Sequence, residues 1–140
     1  MENITIKINE TKTEINAVIF DNSVCVVNTT PHPINMQNTD GELVTVPCSG
    51  ILLNAKAVEK QVNSLLVKTE FVGTEEGKQS ISAIETAFHS LCKDETLIIV
   101  GSIIAAQAYP GKVFGLTPVP GYERVAPAEK RMRCDKFTTF

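Results

Sequence analysis

Residues 34–47 have the sequence INMQNTDGELVTVP, and this stretch decides the fold class of the chain. Two short strand-like runs, residues 34–37 and 43–46, are separated by the polar segment Asn38-Thr39-Asp40-Gly41. The Asp-Gly pair favours a tight turn, because glycine adopts a positive φ without a steric penalty. The stretch therefore predicts a β-hairpin, and it favours a domain built mainly from strands.

The residues before this hairpin predict further strands. Residues 3–8 alternate polar and apolar side chains, and residues 15–20 form a second extended run beyond a polar turn at 9–12. Such patterns are typical of paired strands. Residues 24–27 predict a buried strand, and the prolines on both sides of His32 exclude a helix directly after it.

The residues after the hairpin predict two extended stretches and then a helix. Residues 51–57 and 62–72 have an extended pattern, and the hydrophobic period changes at Glu75. Beyond that point, apolar side chains recur at spacings of three and four, which predicts an amphipathic helix over residues 79–92. Those apolar residues are Ile81, Ile84, Phe88 and Leu91.

The last third of the chain combines a strand, a short helix and a tail strand. Residues 96–100, TLIIV, predict a central strand, and Ser102 is a suitable N-cap for a helix over 102–108. Residues 110–121 contain three prolines and three glycines, so we expect an irregular loop there. Residues 131–137 predict the last strand.

Together these elements predict the fold class. We expect one compact α+β domain over residues 1–140, mainly β, with an antiparallel, barrel-like sheet and one or two short helices. The chain has 140 residues, of which 43% are hydrophobic and 21% are charged, and these values are normal for one globular domain.

Charge and polarity limit the possible partners and the location. The formal net charge is −3, which disfavours a nucleic-acid polymer but permits a local basic site. The polar, acidic start of the chain and the broken apolar run at 97–106 predict neither a signal peptide nor a membrane span. We therefore expect a cytoplasmic protein with no membrane partner.

The cysteines and histidines do not form a pattern typical of a metal site. Cys25, Cys48, Cys92 and Cys134 include no Cys-x-x-Cys pair, so we expect reduced structural thiols. The two histidines lack the spacing of metal ligands. The sequence therefore predicts no metal and no cofactor.

The sequence contains no recognised enzyme motif, which favours a binding protein over an enzyme. His32 is the more informative histidine, because Pro31 and Pro33 hold it in a fixed direction. Three roles stay open for it: a structural corner, a ligand contact, or a general base, which would need such a fixed position.

The tail is the best candidate for a binding surface. Residues 121–140 carry a net charge of +2, whereas the other 120 residues carry −5. Because arginine forks match phosphate oxygens, the tail predicts an anion site, although an ordinary solvated strand face stays open as the alternative. On a strand over 131–137, one face would hold Arg131, Arg133 and Asp135, and the other Met132, Cys134 and Lys136.

Aromatic residues lie close in sequence to this basic segment. Tyr109, Phe114 and Tyr122 lie in or beside the predicted loop at 110–121. A flat base stacks on such rings with about 1–3 kcal/mol per base. The sequence leaves open whether each ring stacks on a ligand or packs in the core.

Several stretches in a fixed order resemble a known family. They are residues 27–34 (VNTTPHPI), Asp40-Gly41 with Pro47-Cys48-Ser49-Gly50, residues 97–100 leading to Ala105, and residues 119–125 (VPGYERV) ahead of Arg133-Cys134. The order is similar to that of small phage and bacterial proteins with an Asn-Leu-Thr-Pro-His strand, a Pro-Pro-Ser-Gly turn and a final Gly-Cys-Arg. Over roughly residues 26–137, apart from an insertion, the chain resembles the anti-Thoeris phage proteins of the first class.

The resemblance implies a phage-encoded sponge that acts in the host bacterial cytoplasm. Such proteins are β-rich homo-oligomers that bind glyco-cyclic ADP-ribose at subunit interfaces without cleaving it, and some relatives also bind cyclic oligonucleotides. Sequestering this signal, which bacterial TIR enzymes make, blocks Thoeris defence. The family's tail arginines hold phosphates and an aromatic ring stacks on adenine. By resemblance, Arg124 matches the family's Val-Arg position, and Arg131 or Arg133 supplies the second arginine.

The chain departs from the family pattern in several places. Residues 1–22 are an expected N-terminal β extension, and residues 75–94 replace a short loop with an expected helical insertion. The family's Ile-Val-Ser is Val100-Gly101-Ser102 here, and its final Gly-Cys-Arg is Arg133-Cys134-Asp135. The carboxylate of Asp135 would repel a phosphate.

Three functions therefore stay open. The chain is a sponge for a cyclic nucleotide signal, a small phage structural or assembly protein with no small-molecule ligand, or an enzyme acting on a nucleotide with His32 as the base. For the sponge, no catalytic or metal-binding residue is expected. The candidate ligand-binding residues are Arg124, Arg131, Arg133, Tyr122, Tyr109, Gln107 and His32.

Overall fold

The computed structural model describes residues 1–8 and 13–140. Its two α-helices are α1 (Glu75–Leu91) and α2 (Ile103–Ala108), and a single 3-10 turn covers Pro127–Glu129. The strands of the described residues are β1 (Glu2–Ile8), β2 (Thr13–Ile19), β3 (Val24–Asn28), β4 (Ile34–Gln37), β5 (Leu43–Val46), β6 (Ala55–Gln61), β7 (Val67–Gly73), β8 (Thr96–Val100), β9 (Val113–Pro118) and β10 (Met132–Thr138).

Within the described residues, one large mixed sheet dominates the fold. Its strand order is β1-β2-β3-β8-β9-β10-β4-β5, and β6 pairs only with β7. The predicted class, mainly β with two helices, is confirmed. The sheet is not antiparallel throughout, because β3–β8, β8–β9 and β10–β4 are parallel pairs. Parallel strands need a long crossover connection. The connection between β8 and β9 contains α2, and the connections between the other parallel pairs are longer.

The large sheet curls so that distant strands approach each other. The side-chain amide of Asn22, in the turn between β2 and β3, donates to the carbonyl of Cys134 on β10 at 3.0 Å. Asn28, at the end of β3, forms a bridge with Cys48 beyond β5. The curl encloses an apolar core whose members include Val18, Phe20, Val26, Met36, Val46, Val100 and Cys134.

The opposite side of the sheet carries a second core beneath α1. Its buried members include Ile6, Ile15, Val27, Ile81, Ile84, Phe88, Ile99 and Val113. The helix begins at Glu75 rather than at the predicted residue 79, because the hydroxyl of Thr74 caps it by accepting the N–H of Gly77 at 3.0 Å. The first turn is polar, so the apolar period did not predict it.

The hairpin predicted over residues 34–47 is confirmed. β4 and β5 pair in register from Ile34–Val46 to Gln37–Leu43, and Gly41 has a φ of +89° in the turn. The predicted hairpin of β1 and β2 is also present, although its polar turn at 9–12 lies outside the described residues. The Ser102 cap of α2 is confirmed, with its hydroxyl accepting the N–H of Ala105 at 3.1 Å.

Two of the predicted segments differ in the structure. Residues 110–121 are not an irregular loop throughout, because residues 113–118 form β9 between β8 and β10. Pro118 ends this strand and the other two prolines lie outside it, so no proline interrupts its middle. The stretches at 51–57 and 62–72 are extended only from Ala55, and residues 62–66 form the turn of a hairpin.

The hairpin of β6 and β7, residues 55–73, stands apart from the large sheet, and we call it the arm. Its base packs against α2 and contributes Ala55 and Phe71 to the core beneath α1.

All four cysteines are free thiols, and burial raises the pKa of Cys25 to about 12. Neither helix of the described residues is long and apolar enough to cross a membrane.

Candidate anion-binding cleft

A cleft of about 360 Å³ lies where β10 runs beside β4. The parallel pairing places Arg133 opposite Gln37, which brings together parts of the chain that are far apart in sequence. The backbone N–H of Val119 donates to the carbonyl of Arg131 at 2.9 Å and holds the preceding loop against β10. The lining residues are Gln37, Asn38, Thr39, Val119, Pro120, Arg133, Cys134 and Asp135.

Arg131 and Tyr122 form a pair that is linked to this cleft through Gln37, one of its lining residues. The guanidinium carbon of Arg131 lies 5.2 Å from the centre of the Tyr122 ring, which is a cation–π contact. The same guanidinium donates from Nη1 to Oε1 of Gln37 at 3.3 Å. A turn places the ring, since the N–H of Tyr122 donates to the carbonyl of Val119 at 2.9 Å. The guanidinium therefore lies over one face of the Tyr122 ring.

Arg133 is held differently, because its fork already has a partner. Its Nε and Nη2 donate to the two carboxylate oxygens of Asp135 at 2.7 and 3.0 Å. This hydrogen bonding raises the pKa of Arg133 and lowers that of Asp135. A phosphate that bound Arg133 would have to displace the carboxylate of Asp135 from the guanidinium. This contact agrees with the expectation that Asp135 opposes an anion at this position.

The alternation predicted for the tail strand holds only in part. Cys134 is buried in the core, while Arg133 and Asp135 lie on the outer face of β10. An irregularity in the pairing with β9 then shifts the register before Phe137. Phe137 packs against the core as a result, and Lys136 is exposed rather than facing inward with Cys134.

Tyr109 does not belong to the cleft. Only 4% of it is exposed, and its hydroxyl donates to the carbonyl of Asn54 at 2.5 Å and accepts the N–H of Thr74 at 3.0 Å. Its ring packs so closely on Gly73 and Gly77 that a Cβ would lie 2.3 Å from a ring carbon at Gly73 and 2.6 Å from one at Gly77. Burial leaves no ring face for a base, so we remove Tyr109 from the candidate site.

Three further predicted residues are not joined to the cleft. His32 is exposed ahead of β4 and precedes Gln37 by five residues. Five residues of extended chain span about 16 Å. Gln107 is exposed on α2, and Arg124 is exposed beyond Tyr122. Among the residues that the structure describes, no hydrogen bond or ion pair links these three side chains to Arg131 or Arg133.

Asn28 organises the loop that carries His32, a role that the sequence pattern did not predict. Asn28 is fully buried, and its Oδ1 accepts both the N–H of Thr30 at 2.9 Å and its hydroxyl at 2.6 Å. Its Nδ2 donates to the carbonyls of His32 at 2.8 Å and Val46 at 3.4 Å. The Asn-Thr-Thr-Pro-His-Pro motif is therefore a loop built around a buried amide. An asparagine directly after a predicted buried strand was the available signal.

Comparison of the chain with protein-family models, with curated proteins and with solved structures finds no match. The resemblance to anti-Thoeris proteins stays a prediction. The same holds for residues 1–22 as an extension and residues 75–94 as an insertion, since both rest on that resemblance. Among the described residues, no group of three or more His, Cys, Asp or Glu side chains is placed to hold a metal ion.

Proposed function

We propose that the protein is a phage-encoded sponge that binds a cyclic ADP-ribose-type immune signal in the bacterial cytoplasm and does not cleave it. The observation that supports this most directly is the Arg131–Tyr122 pair, which a hydrogen bond links to Gln37 in the lining of the cleft. A guanidinium fork suits a phosphate, and an aromatic ring suits an adenine base. The arrangement offers both groups in one place.

The chemistry of these groups favours holding a ligand over transforming it. Arginine does not release its proton in proteins, so its action on a phosphate is electrostatic and through hydrogen bonds. A cyclic ligand is already closed on itself and loses little conformational entropy when it binds. The first property disfavours cleavage, and the second favours tight binding, which a sponge needs in order to lower the free signal and permit immune evasion.

The size of the cleft favours a site that a second subunit completes. Its volume of about 360 Å³ is near the lower end of the range for small-molecule sites. A homo-oligomer with the ligand at its interface, as the resemblance implies, would cover the open side. Arg124 is exposed and adjacent to Tyr122 in the loop, so it is available to such an interface.

The test is a thermal-shift and calorimetric titration of the full chain with glyco-cyclic ADP-ribose. Ligand at 100 times its dissociation constant should add about 2.7 kcal/mol to the free energy of unfolding. Arg131→Ala and Tyr122→Ala should remove most of the shift, and Arg131→Lys should remove part of it because the fork is lost. Lys7→Ala, a loss of the same charge on exposed β1, is the matched control.

Arg124→Ala tests the residue that the resemblance implies, and we expect it to abolish most of the binding without unfolding the chain. Unchanged affinity in Arg124→Ala would count against that residue, and unchanged affinity in Arg131→Ala as well would contradict the proposed site. After binding, heat denaturation of the complex should release intact ligand. Recovery of a linear product would refute sequestration and favour the enzyme with His32 as its base.

A structural or assembly protein with no small-molecule ligand is the second candidate. The observation that favours it is the exposed arm, whose apolar tip suits protein contacts better than a nucleotide. A panel of cyclic nucleotides separates the two candidates, because the assembly protein would show no thermal shift with any of them.

A further inference from the structure

A second cleft, of about 390 Å³, lies between α1 and the turn that follows α2, and we call it the α1 cleft. One wall includes Lys78, Ser82 and Glu85, which are spaced three and four residues apart and therefore share one face of the helix. The opposite wall comes from residues 108–110 and Lys112. Of the residues that the structure describes, none lines both the α1 cleft and the cleft beside β10.

The turn after α2 holds the backbone of Lys112 in place. The carbonyl of Tyr109 accepts the N–H groups of Lys112 at 3.1 Å and Val113 at 3.0 Å. Gly111 has a φ of +76°, which glycine adopts without strain, and the chain reverses there between α2 and β9. The wall opposite α1 is therefore a defined turn.

The interior of the α1 cleft is mainly aliphatic. Ile81 and Ala108 are buried residues of the core beneath α1, and they line the cleft together with Pro110. Water gains no hydrogen bond from these side chains, so an apolar group of a ligand replaces water there favourably. Small-molecule sites are clefts of this kind with a few polar groups, and a volume of about 390 Å³ lies within their range.

The charged groups of the α1 cleft are mainly basic. Lys78 and Lys112 line it, and among the described lining residues Glu85 is the one carboxylate, so the local charge is +1. Nζ of Lys112 lies 3.1 and 3.3 Å from the two carboxylate oxygens of Glu85. Nζ of Lys78 lies 3.9 Å from Oε1 of Glu75. Both lysine side chains are more than half exposed, and ion pairs at such positions are weak, so the carboxylate of a ligand can compete for them.

Ser82 adds a hydroxyl group to this wall. It is exposed on α1, about one turn after Lys78 and one turn before Glu85. In the described part of the chain, no hydrogen bond involves this hydroxyl, so it is available to donate to a ligand oxygen. Two ammonium groups, a hydroxyl and an aliphatic interior together suit an anion that carries an apolar chain.

We propose that the α1 cleft binds a monocarboxylate with an aliphatic chain, such as a medium-chain fatty acid. Its carboxylate pairs with the ammonium groups of Lys78 and Lys112 and competes with Glu85 for the latter. Its chain covers Ile81 and Ala108, and a single negative charge balances the local charge of +1. This site shares no residue with the cleft beside β10, so it can fail or succeed independently of the proposed function.

Calorimetric titration of the full chain with sodium octanoate, below the concentration at which octanoate forms micelles, tests the proposal. Octanoate should give a saturable heat of binding. Acetate lacks the chain, octanol lacks the charge and octylammonium reverses the charge. Each of these three compounds should therefore bind at least about tenfold more weakly than octanoate.

Variants of the lining residues test the position of the site. Ser82→Glu should lower the affinity for octanoate at least about tenfold, because its carboxylate pairs with the lysines and repels the ligand. Thr86→Glu is the matched control, since Thr86 is exposed on the same helix and does not line the cleft. Lys112→Gln should also weaken binding, whereas Lys93→Gln, which removes the same charge from an exposed residue after α1, should not. Glu85→Gln should strengthen binding, because it removes the competing carboxylate.

Thermal unfolding verifies that each variant is folded. A wild-type chain that gives no saturable heat with octanoate overturns the proposal, and so does octylammonium that binds as tightly as octanoate. Binding that survives both Ser82→Glu and Lys112→Gln overturns the assignment to the α1 cleft. Because neither variant alters the cleft beside β10, titration of the same variants with glyco-cyclic ADP-ribose reports on the proposed function separately.

Discussion

The two hairpins that follow each other in the chain, β4–β5 and the arm, are locally alike and differ in their surroundings. Each is antiparallel, and each has a turn fixed by a side-chain oxygen, from Asp40 in the first and Asn63 in the second. In β4 and β5 every second residue is buried, whereas the outer part of the arm is exposed on both faces.

This difference separates what forms a hairpin from what stabilises it. Turn residues and alternation form both hairpins, and they operate over a few neighbouring residues. Burial depends on distant strands, because β4 lies beside β10 and packs Met36 into a core with Val26 and Cys134. The first hairpin is therefore stabilised by distant parts of the chain, whereas the outer part of the arm is stabilised mainly by its own turn and strand pairing.

The largest expected effect comes from truncating the first hairpin in the core. Met36→Ala should lower the free energy of unfolding by about 2–5 kcal/mol, because it leaves a cavity among fully buried side chains. Val72→Ala in the arm should change it by no more than about 0.5 kcal/mol. Urea unfolding measures both values, and equal losses would contradict the contrast between the hairpins.

A smaller effect should separate two asparagines that both shape loops. Asn28→Ala should cost about 1–3 kcal/mol, because it leaves the buried carbonyl of Val46 without that donor and loosens the first hairpin from β3. Asn63→Ala should cost about 0.5 kcal/mol or less, since water replaces its bonds at the exposed tip. Chemical denaturation of the two variants gives both values, and a greater loss for Asn63→Ala than for Asn28→Ala would contradict this order.

A third effect tests the turn of the first hairpin. Gly41→Ala should destabilise the chain by about 1 kcal/mol, because alanine is strained at a φ of +89° although nothing lies within 4 Å of its Cβ. Gly41→Asn should recover part of the loss, since asparagine tolerates positive φ better. Thermal unfolding of the three proteins measures this order, and an alanine variant as stable as the wild type would contradict it.

The smallest effect concerns the exposed charges of the arm. Hydrogen bonding to Lys60 holds the pKa of Glu70 below its ordinary value. Its contribution to stability is therefore present above the carboxyl's unfolded pKa and is lost as the pH falls through the folded value. Titration by NMR should show this low pKa, and Lys60→Gln should return it toward the ordinary value. An unchanged titration would show that the pair does not form.

The sequence predicted the parts of the fold that depend on local patterns. The turn at Gly41, the cap at Ser102 and the strand at 96–100 all follow from neighbouring residues. The parallel pairing of β10 with β4 could not be predicted that way, because it joins Arg133 to Gln37 across most of the chain. β9 was not predicted for a related reason. Its position between two strands of the sheet stabilises it, and this effect of distant residues outweighs the local preference of its glycine and of the prolines at and beyond its ends for a loop.

The candidate site was predicted in part. The position of Arg133 on the outer face of β10 followed from the alternation of the tail, whereas Arg131 lies one residue before that strand. Tyr122 followed from its nearness in sequence. Gln37, which orients Arg131, had no local signal. The burial of Tyr109 also had none, because it depends on the space that Gly73 and Gly77 leave at the start of α1.

The pairing of β4 with β10 has a consequence for the order of assembly. Neither the first nor the second half of the chain holds the cleft, because its walls come from residues 37–39 and 133–135. Contacts between segments so distant in sequence form slowly, since a long loop must close before they are made. During refolding, the cleft should therefore form more slowly than the local hairpins. The fluorescence of a probe at Tyr122 should follow the pairing of β4 with β10, whereas backbone spectroscopy should follow the earlier formation of the hairpins.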